Sequence, residues 1–185
     1  GSSAHDVALS ISSGLARQIL TATWNGESVE IHDPLTGDGN LIFYTWDSDE
    51  GKQAFWHSGA HLLAQTVLHF YPNSLLTIGP SIENGFYYDI DLDHMLSEED
   101  MEKLEERMHE LAKTQYDVVK KIGSWQDAYD IFKANGESYK LEILERDIPK
   151  DATPALYHHK EYIDMCRGPH VPNMRFCEHF KLMRV

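Results

Sequence analysis

The sequence predicts an α+β fold in which short strands alternate with helices of different lengths. Three observations favour this class: a long helical pattern that ends before Pro72, strand-like runs rich in β-branched and aromatic residues, and helix starts at Ser97 and Ser124. Hydrophobic residues make up 42% and charged residues 25% of the 185 residues, so the chain can bury a core. This length fits one ordinary domain, or a small module followed by a medium one.

The first part of the chain has the short elements of a small α+β module. A weak helical pattern covers residues 5–18, and residues 20–31 are predicted to form two strands around Asn25-Gly26, a strong hairpin-turn signal. A further strand is expected at residues 41–46, after a turn cluster at residues 37–40. The pattern changes at residues 47–51. We therefore predict a module over residues 1–48, which looks incomplete, and a larger α+β domain over residues 49–185.

The larger domain is expected to begin with a helix that ends at Tyr71, because Pro72 cannot continue it. Residues 85–91 alternate as a strand does, with Phe86, Tyr88 and Ile90 on one face. Residues 138–145 fit either period, and we favour a helix. Beyond Pro154, residues 156–165 and 176–185 are expected to be strands on either side of a turn at residues 167–169.

Two helices between these strands have sequence signals at their ends. Ser97 opens a capping-box-like start, and Ser124 opens a second one whose short helix is closed by Asn135-Gly136. The long helix after Ser97 is predicted to bury a stripe formed by Met101, Leu104, Met108 and Leu111.

Charge and cysteine content limit the kinds of partner. Sixteen basic and thirty acidic residues give a formal net charge of -14, which opposes broad binding to a phosphate backbone, so any nucleic-acid contact is expected to be local. Two cysteines are too few for a disulfide framework, and we expect free thiols in a reducing cytoplasm. No apolar run has the length of a membrane-spanning helix, so no membrane partner is expected.

Two short motifs carry candidate chemistry. His57 and His61 form an HxxxH pair on one face of the predicted helix, and that face continues through Ala64, which points it towards the interior. About a hundred residues later, Cys166 and His170 form a CxxxH pair on a Gly-Pro turn. Together the four groups suit either a tetrahedral zinc site or acid–base chemistry on a positioned water.

Plainer interpretations of the same residues compete with these. A lone HxxxH pair is more often a pair of hydrogen-bonded core histidines, but its combination with the CxxxH turn favours a functional site. From the sequence alone, Lys140 is a solvated helix charge, Tyr88 a core residue and Asp164 a strand-end cap. Cys177 is interpreted as an ordinary core residue.

Longer motifs resemble the threonyl-tRNA synthetase family. They are HSGAH at residues 57–61, IGPSIENGFYYD at 78–89, ESYK at 137–140, DMCRGPHVP at 164–172 and RFCEHFKLM at 175–183. The resemblance implies a ubiquitin-like (β-grasp) TGS module, truncated at its start, before an α+β editing domain of the type shared by threonyl- and alanyl-tRNA synthetases. The family's catalytic core and anticodon-binding domain are not matched, so the resemblance implies no threonine activation and no tRNA charging by these residues.

The resemblance also implies an activity, aminoacyl-tRNA deacylation that removes serine from mischarged threonine tRNA. Its catalytic residues would be His57, His61, Cys166 and His170 together with Lys140, and Tyr88 and Asp164 would line the substrate pocket. The partners implied are the acceptor end of threonine tRNA and the remainder of the synthetase chain. Related editing domains can hold zinc at the four-residue cluster, but the threonyl branch is expected to need no cofactor and to act through positioned waters.

Three other functions stay open at this point. The first is a structural zinc module, in which the four-residue cluster only stabilises the fold. The second is a module that binds the tRNA acceptor end without catalysis, and the third is a free-standing editing protein. The net charge of -14 argues against passive tRNA binding. Within the enzyme hypothesis, Cys166 as a nucleophile is less favoured than Cys166 as a group that fixes the water or the substrate.

Overall fold

The computed structural model describes residues 1–185. Its N-terminal part comprises α1 (Ala4–Ile11), α2 (Ser13–Gln18), β1 (Thr21–Trp24), β2 (Glu27–Val29) and β3 (Leu41–Tyr44). The helical pattern of residues 5–18 is thus two helices. Ser12 breaks it because its backbone is extended and its hydroxyl accepts a hydrogen bond from the N–H of Leu15, which caps α2.

The predicted hairpin turn is confirmed. Asn25 and Gly26 have positive φ angles of 52° and 87°, as a two-residue hairpin turn requires, and β1 pairs antiparallel with both β2 and β3. Small and aliphatic side chains fill the space between this sheet and the two helices, namely Ala4, Ala8, Ala16, Ile19, Ala22 and Ile31. Three antiparallel strands do not by themselves show a β-grasp fold, so the TGS assignment stays a prediction.

The long helix α3 (Asp49–Phe70) is the central element of the larger part. Ser48 caps it by accepting a hydrogen bond from the N–H of Gly51, and the helix ends before Pro72, as the sequence predicts. Its buried residues include Ala54, Leu62 and Val67, which pack in two adjoining clusters of the core. Because both clusters surround it, α3 is a rigid support for any side chain that it carries.

The remaining helices are α4 (Glu98–Lys113), α5 (Trp125–Ala134) and α6 (Ser138–Asp147). Capping boxes at Ser97 and Ser124 are both present, as predicted, and α4 packs against α3. Residues 138–145 are helical, as favoured. No helix is both long enough and apolar enough to cross a membrane.

An antiparallel sheet of β8 (Val119–Ile122), β9 (Ala155–His159) and β10 (Tyr162–Met165) completes the fold, with β9 in the centre. The prediction of one strand over residues 156–165 is wrong, because Lys160 adopts a positive φ of 56° and turns the chain into a β9–β10 hairpin. Strand β8 was not predicted. In this sheet, the end of β10 lies in the interior beside α3.

Two other strand predictions need correction. Residues 85–91 are divided between β6 (Gly85–Phe86), which pairs with β5 (Ser81–Ile82), and β7 (Ile90–Asp91), which pairs with β4 (Leu75–Leu76). Residues 176–185 form no strand; a short 3-10 helix, Met174–Cys177, precedes an irregular segment. The N–H of Leu182 in that segment is bound by the Glu105 carboxylate and not by a neighbouring strand. Cys177 is a buried core residue, as predicted.

Candidate functional site

The HxxxH pair lies on the inward face of α3, one helical turn apart. His57 is half-buried and its Nδ1 lies 3.2 Å from the carbonyl oxygen of Pro169. His61 is only 3% exposed, its Nε2 lies 3.6 Å from Asp164 Oδ2, and its Nδ1 is buried with no hydrogen-bond partner. The helix therefore presents one imidazole near the surface and one in the interior.

The CxxxH pair lies in the loop that follows β10. Cys166 Sγ and His170 Nε2 are 3.2 Å apart, and His170 Nδ1 lies 2.9 Å from the hydroxyl of Ser58. The same hydroxyl accepts a hydrogen bond of 3.0 Å from the N–H of Val171. Ser58, which the sequence analysis did not single out, thus fixes the loop against α3.

The structure brings the two pairs together although they are far apart in the chain. One potential ligand atom from each of the four residues lies within 4.8 Å of every other. The ring centroid of His170 lies 4.2 Å from that of His57 and 4.3 Å from that of His61. Such a convergence is the geometry that either a metal site or a water-positioning site requires.

Burial determines the protonation of the cluster. It lowers the pKa of His57 and holds the pKa values of His61 and His170 well below their ordinary value of 6.5, so these imidazoles are neutral at neutral pH. Burial also raises the pKa of the Cys166 thiol to about 12. A neutral imidazole can accept a proton from water, whereas a thiol with this pKa is a poor nucleophile.

The four residues fit a zinc ion by composition. Three imidazoles and one thiol form a common tetrahedral donor set, and the unpartnered Nδ1 of His61 is an available ligand atom. The Nε2 of the same ring faces Asp164, as the outer nitrogen of a metal-binding histidine commonly faces a carboxylate. Ligand atoms on zinc are about 3.3 to 3.8 Å apart, by the usual bond lengths, so the present spacing would have to contract.

A second group of charged and polar residues adjoins the cluster. The ammonium of Lys140 on α6 lies 2.6 Å from Asp164 Oδ1 on β10 and 3.5 Å from the hydroxyl of Tyr88. The hydroxyl of Tyr162 donates to the other oxygen of Asp164 at 2.9 Å. Because His61 also faces Asp164, this carboxylate joins the two groups into one site.

Two of the plainer expectations are wrong here. Lys140 is not a solvated helix charge: its side chain is 7% exposed and pairs with a buried carboxylate. Burial opposes its charge most strongly, but Asp164, Tyr88 and Glu137 together outweigh burial and raise the pKa of Lys140, so the ammonium stays protonated. Asp164 does more than cap a strand end, although one of its oxygens does accept the N–H of Met165.

Other residues at the site were missed by the sequence analysis. Tyr162 lies two residues before Asp164, so both side chains lie on the same buried face of β10. This spacing could have identified Tyr162 from the sequence. His159 is fully buried, and its ring centroid lies 5.2 Å from that of His61. Glu137, just before α6, is also buried. A surface cleft lined by Trp46, Phe55 and Phe176 among others contains none of the site residues.

A comparison with known families gives a match in the C-terminal part of the chain. Residues 155–185 match the family described as the threonyl and alanyl tRNA synthetase second additional domain. The matched residues include β9, β10 and the loop with Cys166 and His170, and do not include α3 with its two histidines. The C-terminal part of the chain is therefore similar to a domain associated with editing by tRNA synthetases, and an aminoacyl-ester deacylase is the class of activity that this similarity supports.

Proposed function

We propose that the chain hydrolyses the ester between serine and threonine tRNA, as the editing part of a threonyl-tRNA synthetase. The observation that carries the proposal is the meeting of three neutral imidazoles and a thiol with a buried Lys140–Asp164 pair. The family match at residues 155–185 supports the editing class. The choice of serine and of threonine tRNA rests on the sequence motifs at residues 57–61, 78–89 and 164–172.

The proposed reaction is attack of a water oxygen on the ester carbonyl, followed by departure of the ribose oxygen. His57 is the imidazole of the cluster nearest to solvent, and we propose that it is the general base that accepts a proton from the attacking water. We assign to Lys140 the stabilisation of the negative charge on the tetrahedral intermediate or the protonation of the leaving oxygen, with Asp164 holding its ammonium. His61, His170 and the Cys166 thiol would orient the water and the substrate.

A zinc ion, if bound, would be held by three of the four residues His57, His61, Cys166 and His170 and would polarise a water at the position left open. We nevertheless propose that hydrolysis needs no metal. After extensive dialysis against a chelator, we expect the rate of seryl ester hydrolysis to stay within about twofold of the rate before dialysis. The reason is that a neutral imidazole can accept a proton from water without a metal ion. Metal content is measured in the same sample.

Two outcomes would contradict metal-free hydrolysis. Loss of activity that stoichiometric zinc restores would identify residues of the cluster as ligands of a catalytic ion. Loss of activity together with unfolding would favour the second candidate function, a structural zinc module, for which the donor set of the cluster is the supporting observation.

Serine and threonine differ by one methyl group, so the site must reject threonine by steric exclusion. We place the wall beside the substrate's β-carbon at Tyr88 and the α3 face that bears His57 and His61. The Tyr88 ring is held in place by Gly79, where an added methyl would overlap it. Crowding of one methyl costs about 1 to 3 kcal/mol, which corresponds to about ten- to two-hundred-fold slower hydrolysis of the threonyl ester.

The test is deacylation of seryl and threonyl esters of the same tRNA by the wild type and by Tyr88→Ala. We expect the wild type to prefer the seryl ester and the variant to lose much of that preference, because the methyl group gains space. Tyr87→Ala is the matched control, since the neighbouring Tyr87 is 46% exposed and outside the site. Equal wild-type rates for the two esters would contradict the proposed specificity.

A further inference from the structure

Glu137 is a buried carboxylate with one unpartnered oxygen at the start of α6. The residue is 5% exposed, and its Oε2 is buried without a hydrogen-bond partner. Although Glu137 is the residue that precedes the first turn of α6, its side chain makes no capping hydrogen bond with the helix. A buried acceptor without a partner is costly, and most folds avoid it.

The carboxylate lies beside the charged part of the site. Glu137 precedes Lys140 by three residues, which places the two side chains on the same side of the start of α6. Burial and the nearby Asp164 carboxylate together raise the pKa of Glu137 to about 7, although the Lys140 ammonium and a hydrogen bond with Asn135 partly oppose them. The charges that act on Glu137 are therefore those of the proposed reaction site.

The site lacks a cation for this carboxylate. The Lys140 ammonium is already 2.6 Å from Asp164, so these two charges satisfy each other. Glu137 adds a second acidic group whose Oε2 has no hydrogen-bond partner, and the nearby cation, Lys140, is already paired with Asp164. A ligand that carries one positive charge and N–H donors would supply both missing features.

An aminoacyl ester carries such a group next to the scissile bond, its α-ammonium. We propose that Glu137 binds the α-ammonium of the substrate, so that the site accepts esters of α-amino acids and excludes esters of α-hydroxy acids. This assignment rests on the proposed function and adds a substrate-binding residue to it.

The experiment compares two esters of the same tRNA, the seryl ester and its analogue in which a hydroxyl replaces the amino group. For the wild type we expect KM to be about ten- to a hundredfold higher for the hydroxy ester, the loss typical of one charge-assisted hydrogen bond, with a smaller change in kcat. Glu137→Gln should raise KM for the seryl ester by a similar factor and leave the hydroxy ester unchanged. Glu145→Gln, at an exposed position of α6, is the matched control.

Glu137→Asp keeps the charge on a shorter side chain and covers the case in which Glu137→Gln does not fold. It should raise KM for the seryl ester alone. Equal wild-type constants for the two esters would overturn the assignment of Glu137, as would variants of Glu137 that keep the wild-type preference for the amino group. Hydrolysis of neither ester by the wild type would instead overturn the proposed function, and the assignment with it.

Discussion

Replacing Lys140 with methionine is expected to lower the free energy of unfolding by about 3 to 5 kcal/mol, the usual effect of leaving a buried charge unpaired. The substitution keeps most of the side chain's apolar stem but removes the positive charge that is paired with Asp164. His61, the other basic group within 4.0 Å of Asp164, is kept neutral by burial and cannot replace that charge. Chemical denaturation measures the change. Lys113→Met, at an exposed position of α4, should change the stability by less than about 0.5 kcal/mol.

The double variant Lys140→Met with Asp164→Asn separates charge from packing. Because it removes both members of the pair, it should be more stable than Lys140→Met alone. A single variant as stable as the wild type would show that the pair is not buried in the way described.

In the fraction that remains folded, Lys140→Ala should slow seryl ester hydrolysis without relaxing the preference for serine over threonine, because Lys140 acts on developing charge and not on the β-carbon.

Replacing His57 with alanine is expected to slow seryl ester hydrolysis by about 10²- to 10⁴-fold, the range typical of a lost general base. His57 is the half-buried imidazole of the cluster, whereas His61 and His170 are buried, so it is the one that an incoming water can reach. His69→Ala is the matched control, because His69 lies on the same helix at an exposed position. Single-turnover deacylation measures both.

A His57→Ala variant with the wild-type rate would contradict the role of general base. In that case another group of the cluster would accept the proton from the water. Hydrolysis slowed equally by His57→Ala and His69→Ala would show only that changes on α3 disturb the fold.

Local signals predicted the elements that carry the histidines. The change of pattern at residues 47–51 and Pro72 bracket α3, and the four-residue spacing of His57 and His61 predicts that both face inward. The Gly-Pro turn similarly predicts that Cys166 and His170 lie on a loop. Such features depend on neighbours in the chain, and a single sequence contains them.

Features that depend on distant residues were not predictable in the same way. Lys140 is like any helix-surface lysine in sequence, and it is buried because Asp164, from another element, supplies the compensating charge. Residues 176–185 were expected to form a strand, yet they pack on α4, where the ring of Phe180 stacks on His109 at 4.3 Å between centroids. Glu137 carries no local signal, since only the folded chain shows that its carboxylate is buried without a partner.

The central claim is that the cluster of His57, His61, Cys166 and His170, with Lys140, is a hydrolytic site for an aminoacyl ester. The most direct test is the half-life of seryl-tRNA, made on threonine tRNA, in the presence of an excess of the protein. The account predicts a half-life far shorter than in buffer alone, and a return towards the buffer value with His57→Ala. A half-life that is the same with the wild-type protein and with buffer would contradict it.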